Sequence, residues 1–212
     1  MSLLRLALDA RGAAAARLST AFWTAIAWAR LRAHGARVGR GLRVRGPLRL
    51  HCHRTASILI GRACRIQSGF PGNPVGGSGR MALWVGAGAV LTIGDRVGLS
   101  NATIVCLRAV TIGDGALVGG DSKVYDTDFH SLDAAERARA GNPGARRAPV
   151  TIGPRAFVGA HAVVLKGSDV GAEAVIGAGA VVRGIVPPGE VWAGNPAVPL
   201  RRAYRAPLEA VR

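Results

Sequence analysis

Residues 151–182 read TIGPRAFVGAHAVVLKGSDVGAEAVIGAGAVV, and an aliphatic residue recurs in this stretch at every sixth position. The recurring residues are Ile152, Val158, Val164, Val170, Ile176 and Val182. A small residue follows most of them four places later, at Ala156, Ala162, Ser168, Ala174 and Ala180. The same period runs upstream through Ile93, Leu99, Val105, Ile112, Val118 and Val124, with one step of seven between 105 and 112.

A period of six matches neither the 3.6 residues of a helical turn nor the alternation of two in a strand. It is the length of one flat side of a triangular coil, so that three hexads make a coil of 18 residues. Stacked coils pair their backbones in parallel ladders around a narrow interior. The composition suits such an interior, because aromatic residues make up only 5% of the chain and 30 residues are glycine. The sequence therefore predicts an all-β solenoid over residues 35–200.

Four segments depart from the period. Residues 1–34 predict an amphipathic helix with Leu18, Phe22, Ala25 and Ile26 on one face. Residues 67–83 and 125–149 are expected to be excursion loops, and residues 201–212 a short C-terminal helix or tail. The longest uncharged run near the N-terminus, Leu18–Ala29, has 12 residues, whereas a spanning helix needs about 20. No transmembrane segment is expected.

The net charge is +16, and residues 1–54 contribute +10 of it, from eleven arginines and Asp9. This asymmetry favours an acidic partner, such as an anionic membrane surface or another polyanion. Nucleic acid is not expected, because no platform of aromatic residues accompanies the arginines. Cys52, Cys64 and Cys106 lack metal-ligand spacing and suggest a reducing, cytoplasmic location, with possible peripheral contact at the inner membrane face. His51 and His53 have no evident third ligand, so no metal is expected.

The segment VYDTDFHSLD, residues 124–133, ends one hexad series and places a histidine among three aspartates. Together with the hexads, it resembles the hexapeptide-repeat acyltransferases. That resemblance implies a left-handed parallel β-helix, a homotrimer, and acetyl-coenzyme A as the acyl donor. It also implies that His130 is the general base, since a neutral imidazole can accept the proton of an attacking hydroxyl group.

The neighbouring polar residues are candidates for supporting functions. Asp128, Asp133 and Asp126 are all close enough in sequence to orient the imidazole of His130, and the sequence does not choose among them. Asp126 and Asn101 are candidate contacts to the acceptor. Phe157 is a further candidate, because similar proteins often have tryptophan there, although it could equally fill an apolar face. His161 is expected to be a wall residue near the donor.

The C-terminal stretch VIGAGAVVRGIVPPGEVWAGNPAVPLR, residues 175–201, also resembles the family, in which this region lines the coenzyme A site. The resemblance implies a donor site formed by Gly159, Ala160, Ala178, Gly179, Arg183, Asn195 and Arg201. The chain has Arg183-Gly184 where a common family pattern has Thr-Lys after the paired valines. Arg183 is therefore expected to supply the charge for the phosphates one position early.

These features predict an acetyl-coenzyme A-dependent O-acetyltransferase that acts directly on a sugar hydroxyl of a surface polysaccharide or its precursor. N-acetylation of an amino sugar and acetylation of an antibiotic are the nearest alternatives. A non-catalytic solenoid that binds a membrane or a polyanion is the alternative from another class.

Overall fold

The computed structural model describes residues 3–69, 73, 75, 79–140 and 144–200, with side chains from residue 13 onward. Helix α1, Leu3–Ala33, precedes a three-sided prism, and the short helix α2, Ala134–Arg137, lies in the second excursion. Residues 201–212, which include the predicted donor contact Arg201, lie outside the described residues.

Three sheets form the sides of the prism. The first face contains β1 (Arg37–Val38), β4 (Ser57–Ile60), β7 (Val90–Ile93), β10 (Ala109–Ile112), β13 (Val150–Ile152), β16 (Asp169–Val170) and β19 (Ile185–Val186). The second contains β2 (Arg43–Arg45), β5 (Arg65–Gln67), β8 (Gly98–Ser100), β11 (Leu117–Val118), β14 (Phe157–Val158), β17 (Val175–Ile176), β20 (Val191–Ala193) and β21 (Val198–Pro199). The third contains β3 (Arg49–Cys52), β6 (Ala82–Val85), β9 (Thr103–Cys106), β12 (Lys123–Tyr125), β15 (Val163–Val164) and β18 (Val181–Val182).

Successive strands of the chain visit the three faces in turn, and every pairing is parallel except that of β20 with β21. The recurring aliphatic residues stack in register, as Ile112, Ile152 and Val170 do on the first face. All three are fully buried, and so are the small residues near the corners, such as Ala156 and Ala174. The predicted prism is confirmed, and it has the architecture of a left-handed parallel β-helix.

The repeated glycines are required by the closeness of stacked coils. A Cβ atom placed on Gly153 would lie 2.6 Å from the backbone nitrogen of Ala172, and one on Gly159 would lie 2.6 Å from that of Ala178. Neither glycine has a positive φ angle. Non-glycine residues such as Arg155 and His161 instead occupy the left-handed positions of the turns. At these two positions glycine is needed because the stacked coils approach closely, and not because the backbone adopts a left-handed turn conformation.

Helix α1 covers the first coils of the prism with a face other than the one that contains Leu18 and Phe22. Ala27 and Leu31 are buried, and the backbone nitrogen of Val44 donates to Thr24 Oγ1 at 2.9 Å. Leu18 and Phe22 remain exposed. Among the described residues, no helix combines the length and apolar character that crossing a bilayer requires. The helix therefore caps the prism and also presents apolar side chains to the outside.

We expect Gly153→Ala to lower the free energy of unfolding by about 1–3 kcal/mol, because the new methyl group cannot fit without separating two coils. Gly98→Ala is the matched control, since the flexible end of Leu117 is the only group that its Cβ would meet. Urea denaturation followed by circular dichroism measures both. Equal losses in the two variants would contradict the importance of coil spacing.

Candidate active site

The second excursion begins at Asp126, whose side chain is completely buried at the corner between the third and first faces. Its Oδ1 accepts from the backbone nitrogen of Leu107 at 2.8 Å. Its Oδ2 accepts from the backbone nitrogens of Arg108 at 2.6 Å and Ala109 at 2.8 Å. These three residues lie at the turn from β9 to β10. The interior residue of β9 that stacks on Val124 is Ile104 and not the predicted Val105, so the step to Ile112 has eight residues and not seven. The carboxylate thus binds the lengthened turn of one coil and fixes the start of the second excursion, which leaves the next coil.

Backbone contacts close the base of the loop. Ala148 donates its backbone N–H to the carbonyl of Asp126 at 3.0 Å, and Asp128 donates its own to Arg146 at 3.0 Å. Thr127 and Arg147 form an antiparallel bridge. The outgoing and returning strands of the loop are therefore paired over several residues. Because Asp126 is buried and bonded to the backbone, it supports the loop, and the predicted contact to an acceptor does not fit its position.

His130 projects from this loop with an exposed side chain. Phe129 before it has φ +61° and packs edge-on against Tyr125, with ring centroids 5.0 Å apart. The loop thus lies against the outer surface of the third face, on which Tyr125 stands. Among the residues that the structure describes, the imidazole of His130 has neither a hydrogen bond nor an ion pair. Its nitrogens are therefore available to a ligand.

The other two aspartates predicted to orient His130 also have other partners. Asp128 lies 3.3 Å from Lys166 Nζ, on the neighbouring coil. Asp133 caps α2, since its Oδ1 accepts from the backbone nitrogen of Glu136 at 2.8 Å. Both carboxylates shape the loop, and within a single described chain neither contacts the imidazole.

Asn101 has a structural contact that resembles that of Asp126. It is buried with φ +45°, its Oδ1 accepts from the backbone nitrogen of Gly69 at 2.6 Å, and its Nδ2 donates to the carbonyl of Asn73 at 3.0 Å. The side chain therefore fastens the first excursion to the prism. The contact of Asn101 with an acceptor stays a prediction.

Five of the predicted donor residues share one edge of the prism, between the second and third faces. Gly159–Ala160 follows β14, and Ala178–Gly179 stacks one coil above it, where Gly179 donates its backbone N–H to the carbonyl of Ala160 at 2.9 Å. The backbone N–H groups of Ala160 and Ala178 have no acceptor among the described residues. Asn195 follows β20 at the same edge. A column of small residues with two unpaired donors is therefore present there.

Arg183 does not join this column. It follows β18 and lies exposed at the edge between the third and first faces, which is also the edge that carries the His130 loop. Within one chain, the donor column and His130 thus occupy different edges of the prism.

His161 adjoins the donor column and has the carboxylate contact that His130 lacks. Its Nδ1 lies 3.4 Å from Asp121 Oδ2, and Lys123 also binds this carboxylate. Partial burial opposes ionisation of Asp121, but hydrogen bonds from Lys123 and His161 outweigh it and hold the pKa of Asp121 below its ordinary value. The sequence placed His161 in the wall near the donor, but its pairing with Asp121 had no visible sequence signal.

Two further side chains limit the chemistry. Phe157 is partly exposed on the second face and, with Leu117 and Gly98, borders a hollow of about 270 Å³. Burial, followed by the charge of Asp126, raises the pKa of Cys106 to about 12, so this thiol stays protonated and cannot act as a nucleophile near neutral pH. The described residues contain no group of three or more His, Cys, Asp or Glu side chains that could hold a metal ion.

Comparisons with known proteins agree with this architecture. Residues 149–184 match the family model for the bacterial transferase hexapeptide, which describes six repeats. The chain is 36% identical over 96 residues to galactoside O-acetyltransferase of Escherichia coli, covering 45% of each chain. It is 37% identical over 101 residues to a putative lipopolysaccharide biosynthesis O-acetyl transferase of the same organism, covering 44% of this chain and 50% of that protein. The chain thus spans about half the length, or less, of these curated relatives.

Two solved structures show the same fold. An N-acyltransferase from Bacillus cereus, in complex with dTDP and 3-hydroxybutyryl-CoA, superposes with a TM-score of 0.60 at 15% identity, over 80% of this chain and 84% of the other. A galactoside acetyltransferase in complex with coenzyme A superposes with a TM-score of 0.50 at 25% identity, over 79% and 64%. The left-handed β-helix and the resemblance to hexapeptide-repeat acetyltransferases are confirmed.

Asp126→Ala should strongly destabilise the protein, because each buried N–H left without an acceptor costs about 1–3 kcal/mol. Asp169→Ala is the control, since Asp169 is exposed on the first face and its replacement should cost no more than about 0.5 kcal/mol. Thermal and urea unfolding give the comparison. A loss for Asp126→Ala no larger than that of the control would show that the carboxylate does not hold the loop.

Proposed function

We propose that this chain, a hexapeptide-repeat protein with the fold of the acyltransferases that share the repeat, transfers an acetyl group from acetyl-coenzyme A to a saccharide hydroxyl. The observation that carries the proposal is the loop of His130. Its root is bonded to the prism through Asp126, while its imidazole is exposed and unpaired among the described residues. A rigidly mounted and uncommitted imidazole is what general-base catalysis requires.

In the proposed reaction, acetyl-coenzyme A supplies an activated thioester. A ring nitrogen of His130 accepts the proton of the acceptor hydroxyl as its oxygen attacks the thioester carbonyl. The imidazolium can then return that proton to the departing thiolate. Direct transfer suits the site, because the buried Cys106 remains a neutral thiol, and Ser131, which follows His130, is buried with its hydroxyl bonded to Glu136.

The donor would lie along the column of small residues. The unpaired N–H groups of Ala160 and Ala178 can donate to amide carbonyls of the donor's pantetheine arm, with Gly159 and Gly179 leaving room for it. Asn195 lies one coil further along this edge. Arg183 lies at the edge that carries His130, so its contact to the donor phosphates would come from a neighbouring copy, and the contact from Arg201 remains part of this proposal.

A homotrimer would complete the site. His130 and the donor column occupy different edges of one prism, so a neighbouring copy that packs edge to edge could bring the two together. The orienting partner of His130 could come from that copy as well. Light scattering of the full-length protein tests this arrangement, and the mass of a single chain in the active preparation would exclude it.

The saccharide acceptor is supported by the similarity to galactoside O-acetyltransferase and to the putative lipopolysaccharide O-acetyl transferase. The same base would also serve an amino group, so N-acetylation remains the nearest alternative. A purely binding function is the other candidate, favoured by the arginines around α1. Binding of acetyl-coenzyme A to the purified protein separates the catalytic candidates from the binding one.

We predict that His130→Ala lowers acetyl transfer by roughly 100- to 10,000-fold, the usual contribution of a general base. Binding of acetyl-coenzyme A should be unchanged. The assay follows thiol release from acetyl-coenzyme A in the presence of a panel of saccharides.

His161→Asn is the matched control, because asparagine tolerates the φ of +61° at this position and removes the other imidazole near the donor column. It should keep the rate within about tenfold of the wild-type rate. If His161→Asn abolishes transfer and His130→Ala does not, the histidine paired with Asp121 is the base.

We also propose that α1 rests on an anionic membrane surface, with the rest of the protein in the cytoplasm. The exposed side chains of Leu18, Phe22 and Trp28 suit the headgroup boundary, and the basic N-terminal part of the chain suits anionic lipid. The three cysteines are free, as is usual in a reducing compartment.

The double variant Leu18→Ser with Phe22→Ser should co-sediment less with phosphatidylglycerol vesicles than the wild type does. These side chains are exposed, so the substitutions should leave the cap on the prism intact. Deletion of residues 1–34 is a poorer test, because it would also remove the buried Leu31. Equal co-sedimentation of the variant and the wild type would remove this membrane contact from the proposal.

A further inference from the structure

A groove of about 1150 Å³ lies between α1 and the second face of the first coils. Five arginines line it, and none of its lining residues is acidic. They are Arg17, Arg40, Arg43, Arg45 and Arg65. Their side chains have no hydrogen bond or ion pair with any other described residue. Elsewhere on the prism, by contrast, corner arginines such as Arg62 and Arg155 are paired with carboxylates.

Two of these arginines stand directly opposite each other. Arg43 on β2 and Arg65 on β5 are partners in the parallel ladder, and both are exposed. Like charges at facing positions of a sheet destabilise it. A bound anion would convert this repulsion into attraction, and the planar guanidinium fork matches the paired oxygens of a phosphate group.

The groove continues toward the proposed reaction site. Arg65 and Gln67 border both the groove and the smaller hollow beside Phe157. From β5 to β14 there are three strand spacings, or about 14 Å. Phe157 lies two residues before Gly159 of the donor column. A ligand held by its phosphates at Arg65 can thus extend along the second face toward the donor edge.

From these contacts we infer that the groove binds the diphosphate of a glycosyl diphosphate, the activated form of the saccharide acceptor, and directs its sugar along the second face. The sugar part of this inference rests on the proposed function, whereas the diphosphate part rests on the arginines. The carrier beyond the diphosphate is either a soluble nucleoside or a membrane lipid. Trp28 lines the groove and offers an aromatic face beside the phosphates.

The test uses the full-length protein without acetyl-coenzyme A, and calorimetry with three probes: inorganic pyrophosphate, UDP-glucose and glucose. Pyrophosphate and UDP-glucose should bind, and glucose alone should not. The double variant Arg43→Gln with Arg65→Gln should weaken both interactions by about tenfold or more, because charge-assisted hydrogen bonds are lost. The thermal stability of this double variant should not fall, since the repulsion between Arg43 and Arg65 is removed.

Arg49→Gln with Arg54→Gln is the matched control. These exposed arginines belong to the same part of the prism but not to the groove, and their replacement removes the same net charge. The control should bind the probes as the wild type does. No binding by the wild type, or equal weakening in both double variants, would overturn the inference.

Two more measurements distinguish this inference from other uses of the groove and from the proposed function. Loss of acetyl-coenzyme A binding in Arg43→Gln with Arg65→Gln would assign the groove to the donor, and a change in oligomeric mass would assign it to a subunit contact; either result overturns the inference. If the wild type binds pyrophosphate but not acetyl-coenzyme A, the proposed function fails while the diphosphate site stands.

The carrier is identified by competition with pyrophosphate. Displacement by phosphatidylcholine vesicles that contain undecaprenyl diphosphate, but not by phosphatidylcholine alone, supports the site with a lipid carrier. Displacement by UDP-glucose alone supports it with a soluble carrier.

Discussion

The spacing between stacked coils is the constraint on which the rest of this structure depends. Parallel pairing brings each backbone to within about 4.8 Å of the next, and a triangular coil must also turn a corner every six residues. At Gly153 and Gly159 the neighbouring coil leaves no space for a Cβ atom. The interior accepts one aliphatic side chain for each face, so the core is narrow and regular. That regularity supplies a rigid support from which loops can project without disturbing the stack.

The two excursions use the same physical device. Each is fastened by a buried polar side chain that accepts from backbone N–H groups: Asn101 for the first excursion, and Asp126 for the second. A buried carboxylate is costly unless it is fully bonded, and three N–H donors satisfy most of its acceptor capacity. The lengthened step between Ile104 and Ile112 supplies those donors, because the turn at Leu107–Ala109 directs them at Asp126. The irregularity in the period and the origin of the loop that carries His130 are therefore parts of one arrangement.

The sequence predicted the prism in detail, because a period of six constrains which side chains enter the interior at every coil. It predicted much less about polar residues, whose partners lie far away in the chain. From the sequence, Asp126 and Asn101 are candidate contacts to an acceptor. A polar residue that contacts a ligand and one that binds a distant turn have the same local sequence pattern. The sequence also did not identify the face of α1 that packs on the prism. Leu18 and Phe22 have helical spacing, but so do Ala27 and Leu31, and only the surface of the first coils selects the second pair.

Many of the charged groups near the loop and at the corners of the prism have partners that support the fold. Asp126, Asp128 and Asp133 all have partners that hold the loop, and Arg62 and Arg155 have partners that join neighbouring coils. Among the described residues, the imidazole of His130 and the arginines of the groove beside α1 lack such partners. An unpaired charge or base contributes little to the stability of the fold, and two arginines at facing positions of a sheet lower that stability. We propose that ligands complete these groups, an acceptor hydroxyl at His130 and a diphosphate at Arg43 and Arg65, which lie on different sides of one prism.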